Sequence, residues 1–178
     1  MNIVLIGYRC SGKTAVGRIL ADELGMNYAD TDLLIEGDAG ESIEAIIKTK
    51  SWDHFRNLES DIIERVSERD NQVIATGGGV VIIQENVKAL KKNGWVVWLD
   101  AKPNVLKERM EIEQQSGNIR PSLTGSDPLA EIEAVMNARR PMYQEAGDFM
   151  VETTRLSEPE AAALIMKNLP ARLRDKKG

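Results

Sequence analysis

Residues Gly7 to Thr14 read GYRCSGKT, a GxxxxGK[ST] pattern placed directly after the apolar run Asn2 to Ile6 and directly before a helix-period stretch. A loop bracketed in this way between a strand and a helix can fold in few ways. Its successive backbone N–H groups turn inward on an anion, and the helix that follows adds the positive end of its dipole. On this reading Gly7 and Gly12 permit the close turn, while Arg9, Cys10 and Ser11 lend backbone to the phosphates. Lys13 sets a fixed cation on the β- and γ-oxygens, and the Thr14 hydroxyl ligates the Mg²⁺ that accompanies ATP. Switches, motors, ATPases and small-molecule kinases all share this P-loop, so the acceptor must be read from elsewhere.

Along the rest of the chain, apolar runs alternate with helix-period segments, the pattern of an α/β fold with a parallel sheet covered on both faces. Strands are expected at Asn2 to Gly7, Met26 to Ala29, Gln72 to Thr76, Trp95 to Asp100 and Asp148 to Thr153. Helices are expected at Gly12 to Leu24, Trp52 to Arg69, Glu85 to Lys92, Pro103 to Glu113, Pro128 to Glu145 and Pro159 to Asn168. A chain of 178 residues without a linker reads as a single domain over 1–170 with a basic, solvated tail over 171–178. The polar stretch 114–127, interrupted by Gly117, Pro121 and Gly125, has the composition of a mobile lid, which an ordinary connection shares. A net charge of −5 excludes a global positive field that would gather nucleic acid. No apolar window reaches the roughly 20 residues of a transmembrane helix, and a lone Cys10 suits a reducing compartment, so a cytoplasmic location is expected with neither nucleic acid nor membrane as partner.

Three further features carry chemistry. YADTD places Asp30 and Asp32 two residues apart, on one face if the backbone is extended; one could serve the Mg²⁺ shell and the other an acceptor hydroxyl, although helix caps look the same. TGGG, Thr76 to Gly79, sets bare backbone at the carboxyl end of a strand, where a ligand or merely a tight turn requires it. Arg56, Arg109, Arg120, Arg139 and Arg140 offer planar forks for phosphate or carboxylate. The single histidine, His54, reads as a surface residue, and Trp52, Phe55 and Leu58 as core or pocket wall.

Taken in order, GYRCSGKT, YADTD, FRNLE, TGGG, IRPSL and RRPMY resemble the shikimate kinases over nearly the whole chain, from Asn2 to about Leu169. The resemblance implies a three-layer α/β/α fold with a five-stranded parallel sheet in the order 2-3-1-4-5, of the nucleoside-monophosphate-kinase kind, with a lid and a shikimate-binding helical region over about 32–62. It implies ATP- and Mg²⁺-dependent phosphorylation of the 3-hydroxyl of shikimate, in the chorismate route to the aromatic amino acids; a monomer is expected because the site reads as complete in one chain and no exposed apolar stripe stands out. Carried over residue by residue, Asp30 supports the metal through water and Asp32 binds the acceptor hydroxyl and takes its proton. Arg56 and Arg139 hold the shikimate carboxylate, Gly78 and Gly79 give backbone contacts, Glu59 fixes Arg56, Arg109 stacks on adenine, and Arg120 in the lid closes over the γ-phosphate. Lys13, Asp32 and Arg120 form the catalytic set. Cys10 departs from the pattern where the family commonly has glycine, and Arg140 beside Arg139 leaves the clamp register open by one. The competing readings are another small-molecule P-loop kinase, such as a gluconate or nucleoside monophosphate kinase, and a noncatalytic nucleotide switch.

Overall fold

The computed structural model describes residues 1–116 and 122–174. Five strands, β1 (Asn2–Ile6), β2 (Asn27–Asp30), β3 (Gln72–Ala75), β4 (Gly94–Asp100) and β5 (Phe149–Glu152), form one sheet in the order β2-β3-β1-β4-β5. Every pairing is parallel, with Val4 opposite Ile74 on one side and Val96 on the other. All residues of β1 and β4 are buried, as a strand covered on both faces requires. Val4 and Ile6 point into one apolar cluster, Ile3 and Leu5 into another.

The first cluster is closed by α4 (Trp52–Ser67) and α5 (Gln84–Asn93), the second by α1 (Lys13–Leu24) and α8 (Glu158–Lys167). A third, smaller cluster packs Tyr8 against α6 (Pro103–Gln115) and α7 (Ile132–Ala146) at the carboxyl edge of the sheet. Three local details differ from the sequence reading. Between β2 and α4 the chain makes two short helices, α2 (Thr31–Ala39) and α3 (Ile43–Thr49), whose starts are set by side-chain caps from Asp30 and Ser42 rather than by an apolar period. Helix α7 begins at Ile132, because Pro128 to Glu131 form a turn closed by the Ala130 and Glu131 N–H groups on the Asp127 carbonyl. The first turn of the expected tail is helical, Ala171–Arg174, since Leu173 lies one turn beyond Leu169 and both are buried in the second cluster. No described helix is long and apolar enough to cross a membrane.

Candidate active site

The carboxyl edge of the sheet opens into a cavity of about 940 Å³. At one end lies the loop between β1 and α1. Gly7 has φ 144°, and a Cβ there would sit 2.3 Å from the carbonyl oxygen of Leu99 on β4, so only glycine lets the loop rest on that strand. Gly12 has φ 97°. Cys10, at φ 61°, holds a left-handed backbone that costs a non-glycine residue roughly 1 kcal/mol. The Lys13 ammonium, 8% exposed, donates to the carbonyls of Gly7 (2.9 Å) and Tyr8 (2.8 Å) and to Ser11 Oγ (3.4 Å), which holds the cation on the loop itself. Arg9, Cys10, Ser11, Gly12 and Thr14 all line the cavity.

Beside Lys13, Thr14 Oγ1 donates to Asp30 Oδ2 at 3.2 Å, and the Tyr28 hydroxyl donates to the same oxygen at 3.1 Å. Burial and the neighbouring Asp30 carboxylate push the Tyr28 phenol up to about 12, so it remains a neutral donor at physiological pH. The other Asp30 oxygen caps α2 through the N–H groups of Asp32 (3.1 Å) and Leu33 (3.4 Å). Asp30 ends β2, whereas Asp32 lies in the first turn of α2, so strand alternation does not pair the two carboxylates. The helix start turns Asp32 into the same cavity by another route.

Asp32, Arg56 and Arg139 line the opposite end. Arg56 forms a 2.5 Å ion pair with Glu59, which is fully buried, and its guanidinium lies 5.0 Å from the Phe55 ring centroid and 5.6 Å from that of Trp52. Burial pushes the Glu59 carboxyl above its ordinary value, against the pull of Arg56. Glu59 Oε1 is buried without a hydrogen-bond partner among the described residues. The triple glycine fits between these groups: a Cβ on Gly77 would lie 2.8 Å from both Asp32 Oδ1 and Glu59 Oε1, and one on Gly79 would lie 2.2 Å from Arg56 Nη2. The Gly78 carbonyl accepts from Arg139 (3.2 Å) and from the Tyr143 hydroxyl (2.5 Å).

The two adjacent arginines of α7 diverge. Arg139 is buried and lines the cavity, whereas Arg140 makes a bidentate pair with Asp100 at 2.8 and 3.2 Å. Arg109 lines the cavity beside the loop, donating to the Thr153 carbonyl (2.9 Å) and more weakly to Thr153 Oγ1 and the Cys10 carbonyl. Arg120 falls outside the described residues, as does the middle of the expected lid. On the far side of that gap the Glu131 carboxylate accepts from the N–H groups of Leu123 (2.8 Å) and Thr124 (2.9 Å) and the hydroxyls of Ser122 (3.0 Å) and Thr124 (2.7 Å). His54 does not line the cavity; Trp52 and Phe55 do, and Leu58 packs on the first apolar cluster. Tyr28, Glu131 and Tyr143 escaped sequence reasoning. Tyr28, inside YADTD, and Tyr143, inside RRPMY, had signals that could have drawn attention to them; Glu131 had none.

A family model described as shikimate kinase matches residues 9–170. A shikimate kinase of Symbiobacterium thermophilum is 45% identical over 172 residues, covering 97% of this chain and 98% of that protein. One of Thermodesulfovibrio yellowstonii is 40% identical over 166 residues, with 93% of each chain covered. Among solved structures, the shikimate kinase of Acinetobacter baumannii in complex with shikimate superposes with a TM-score of 0.87 at 30% identity, covering 99% of this chain and 95% of that one.

Proposed function

Since this chain belongs to the shikimate kinase family and is an ATP-dependent kinase of shikimate, we propose that the 940 Å³ cavity at the carboxyl edge of the sheet performs the whole transfer to the 3-hydroxyl. The supporting observation is that the P-loop and a pair of arginines with an intervening carboxylate open into one space. Lys13 and the loop N–H groups hold the β- and γ-phosphates, with Arg9, Cys10, Ser11 and Gly12 supplying backbone and Arg109 bordering the base. Arg56 and Arg139 clamp the shikimate carboxylate, with Gly78 and Gly79 as the floor beneath it. Asp32 orients the 3-hydroxyl and accepts its proton as the oxygen attacks phosphorus and the bridging oxygen leaves with ADP. Arg120 is assigned to the transferring phosphoryl group by resemblance alone.

Thr14 Oγ1 and Asp30 Oδ2, 3.2 Å apart and both lining the cavity, are hard oxygen donors of the kind Mg²⁺ takes while retaining most of its waters. They fit that ion, which when bound supplies positive charge to the phosphate oxygens. Every group the proposal names comes from one chain, which supports a monomer, and a single cysteine supports a cytoplasmic setting. A coupled ADP-release assay with ATP and Mg²⁺ tests the reading. Turnover is expected with shikimate and not with gluconate or nucleoside monophosphates; turnover with one of those instead would discard the carboxylate clamp and keep the P-loop.

A further inference from the structure

Helix α7 carries Pro141 in its interior, so the turn that presents Arg139 lacks one backbone hydrogen bond and is held poorly by the helix itself. Side chains on either flank of the proline tie the turn to the sheet and to the loop after β3. Arg140 grips the buried Asp100 carboxylate with both guanidinium nitrogens and lies 5.4 Å over the Trp98 ring. Trp98 stacks on Tyr143 at 5.8 Å, and the Tyr143 hydroxyl shares the Gly78 carbonyl with Arg139. The chain of contacts therefore closes on itself, from Arg140 through Trp98 and Tyr143 to Gly78 and back to Arg139. Its anchor is the carboxyl end of β4, where the Leu99 carbonyl also abuts Gly7 of the P-loop. An arginine fork can make this anchor because it is planar and bidentate and also stacks; a lysine cannot do both.

We infer that Arg140 is a positioning residue for the acceptor site: pinned to Asp100 and Trp98, it fixes the proline-weakened turn of α7 so that Arg139 meets the acceptor carboxylate. This rests on the reading of Arg139 as a carboxylate ligand, and the two are separable. Steady-state kinetics on Arg140→Gln, Arg140→Lys, Asp100→Asn and the double variant Arg140→Gln/Asp100→Asn, with Arg139→Ala as reference, test it. Arg140→Gln and Asp100→Asn are each expected to raise KM for shikimate about 3- to 20-fold while KM for ATP and kcat stay within about twofold, with the double variant no worse than the worse single one. Arg140→Lys is expected between wild type and Arg140→Gln, and serves as the folded comparison should Arg140→Gln melt early. A shikimate KM within about twofold of wild type in a folded Arg140 variant, a parallel rise in both KM values, or additive effects of the two substitutions would overturn the inference. If Arg139→Ala also leaves the shikimate KM unchanged, the clamp itself is wrong; if it raises that KM while Arg140→Gln does not, only the positioning role fails.

Discussion

The two ends of the cavity are built by different means. The end proposed for the nucleotide is contiguous chain: Gly7 to Thr14 is one loop whose conformation is set by three consecutive constraints, a strand, a left-handed turn and a helix start. The end proposed for the acceptor is assembled from α2, α4, the glycines after β3 and α7, and the carboxyl group of Glu59 that pairs with Arg56 there has no solvent contact. A local site is specified by backbone geometry, a composite one by which side-chain tips can meet. Damage at the first should spread to folding, and damage at the second should be confined to one substrate.

Asp32→Asn gives the largest effect expected. The amide keeps the size of the side chain but cannot take the hydroxyl proton, so kcat should fall about 10²- to 10⁴-fold. Nucleotide affinity, read by equilibrium binding of a fluorescent ATP analogue, should stay within about twofold. Near-normal kcat would remove Asp32 from the chemistry, and a large loss of nucleotide binding would erase the distinction between the two ends.

The same substitution made at each end sharpens the contrast. Gly7→Ala drives a Cβ into the backbone carbonyl of Leu99 at 2.3 Å and strains φ 144°, so the loop must move; a loss of more than about 2 kcal/mol in chemical denaturation is expected, together with ATP affinity. Gly79→Ala meets only the tip of Arg56, at 2.2 Å, and a flexible side chain can retreat. Because that shift strains the pair with buried Glu59, stability should fall by about 1–2 kcal/mol, less than at Gly7, while KM for shikimate rises on the order of 10- to 100-fold with KM for ATP unmoved. Equal damage to both properties at both glycines would break the comparison.

How far each end could be read beforehand follows from the same difference. The strands were legible because β1 and β4 are covered on both faces and so are apolar throughout, and the P-loop because its residues are adjacent. Helices α2 and α3 were not delineated, since Asp30 and Ser42 set their starts through single hydrogen-bonded caps. The face that Asp30 and Asp32 would share in extended backbone does not form, because Asp32 lies in the first turn of α2, from which it lines the cavity. Glu131 carries no pattern at all. Its role depends on a chain reversal that brings Ser122 to Thr124 onto its carboxylate. Likewise, the choice between Arg139 and Arg140 turns on Asp100, which lies 40 residues from Arg140 in sequence.

Glu131 lines neither end and offers a pH test of the Ser122 to Thr124 segment it holds, whose Leu123 lines the cavity. Burial raises its carboxyl, but the donors from Leu123, Thr124 and Ser122 outweigh that and hold it below the ordinary carboxylate range. A folded value below the unfolded one means that the contribution to stability is complete above the ordinary value of roughly 4.3 and fades as pH falls through the folded value. Glu131→Gln should therefore cost about 1–2 kcal/mol at pH 7. Its melting temperature should approach that of the wild type as both are taken into acid below roughly pH 4. A gap that stays constant across that window would show that the charge on Glu131 is not what holds Ser122 to Thr124.

The smallest effect is expected at Cys10, where the local end tolerates an imperfect residue. Its left-handed φ of 61° costs roughly 1 kcal/mol that glycine would relieve. Glycine in turn adds backbone freedom to the unfolded chain of comparable size, and it removes a side chain that packs against the third cluster. These terms nearly cancel, so Cys10→Gly should shift stability by less than about 0.5 kcal/mol in either direction. A β-branched residue has no such relief and crowds the left-handed region further. Cys10→Val should accordingly lower the melting temperature and raise KM for ATP several-fold, with KM for shikimate unchanged. If valine were neutral while glycine destabilised, side-chain packing and not backbone conformation would be what this position of the loop requires.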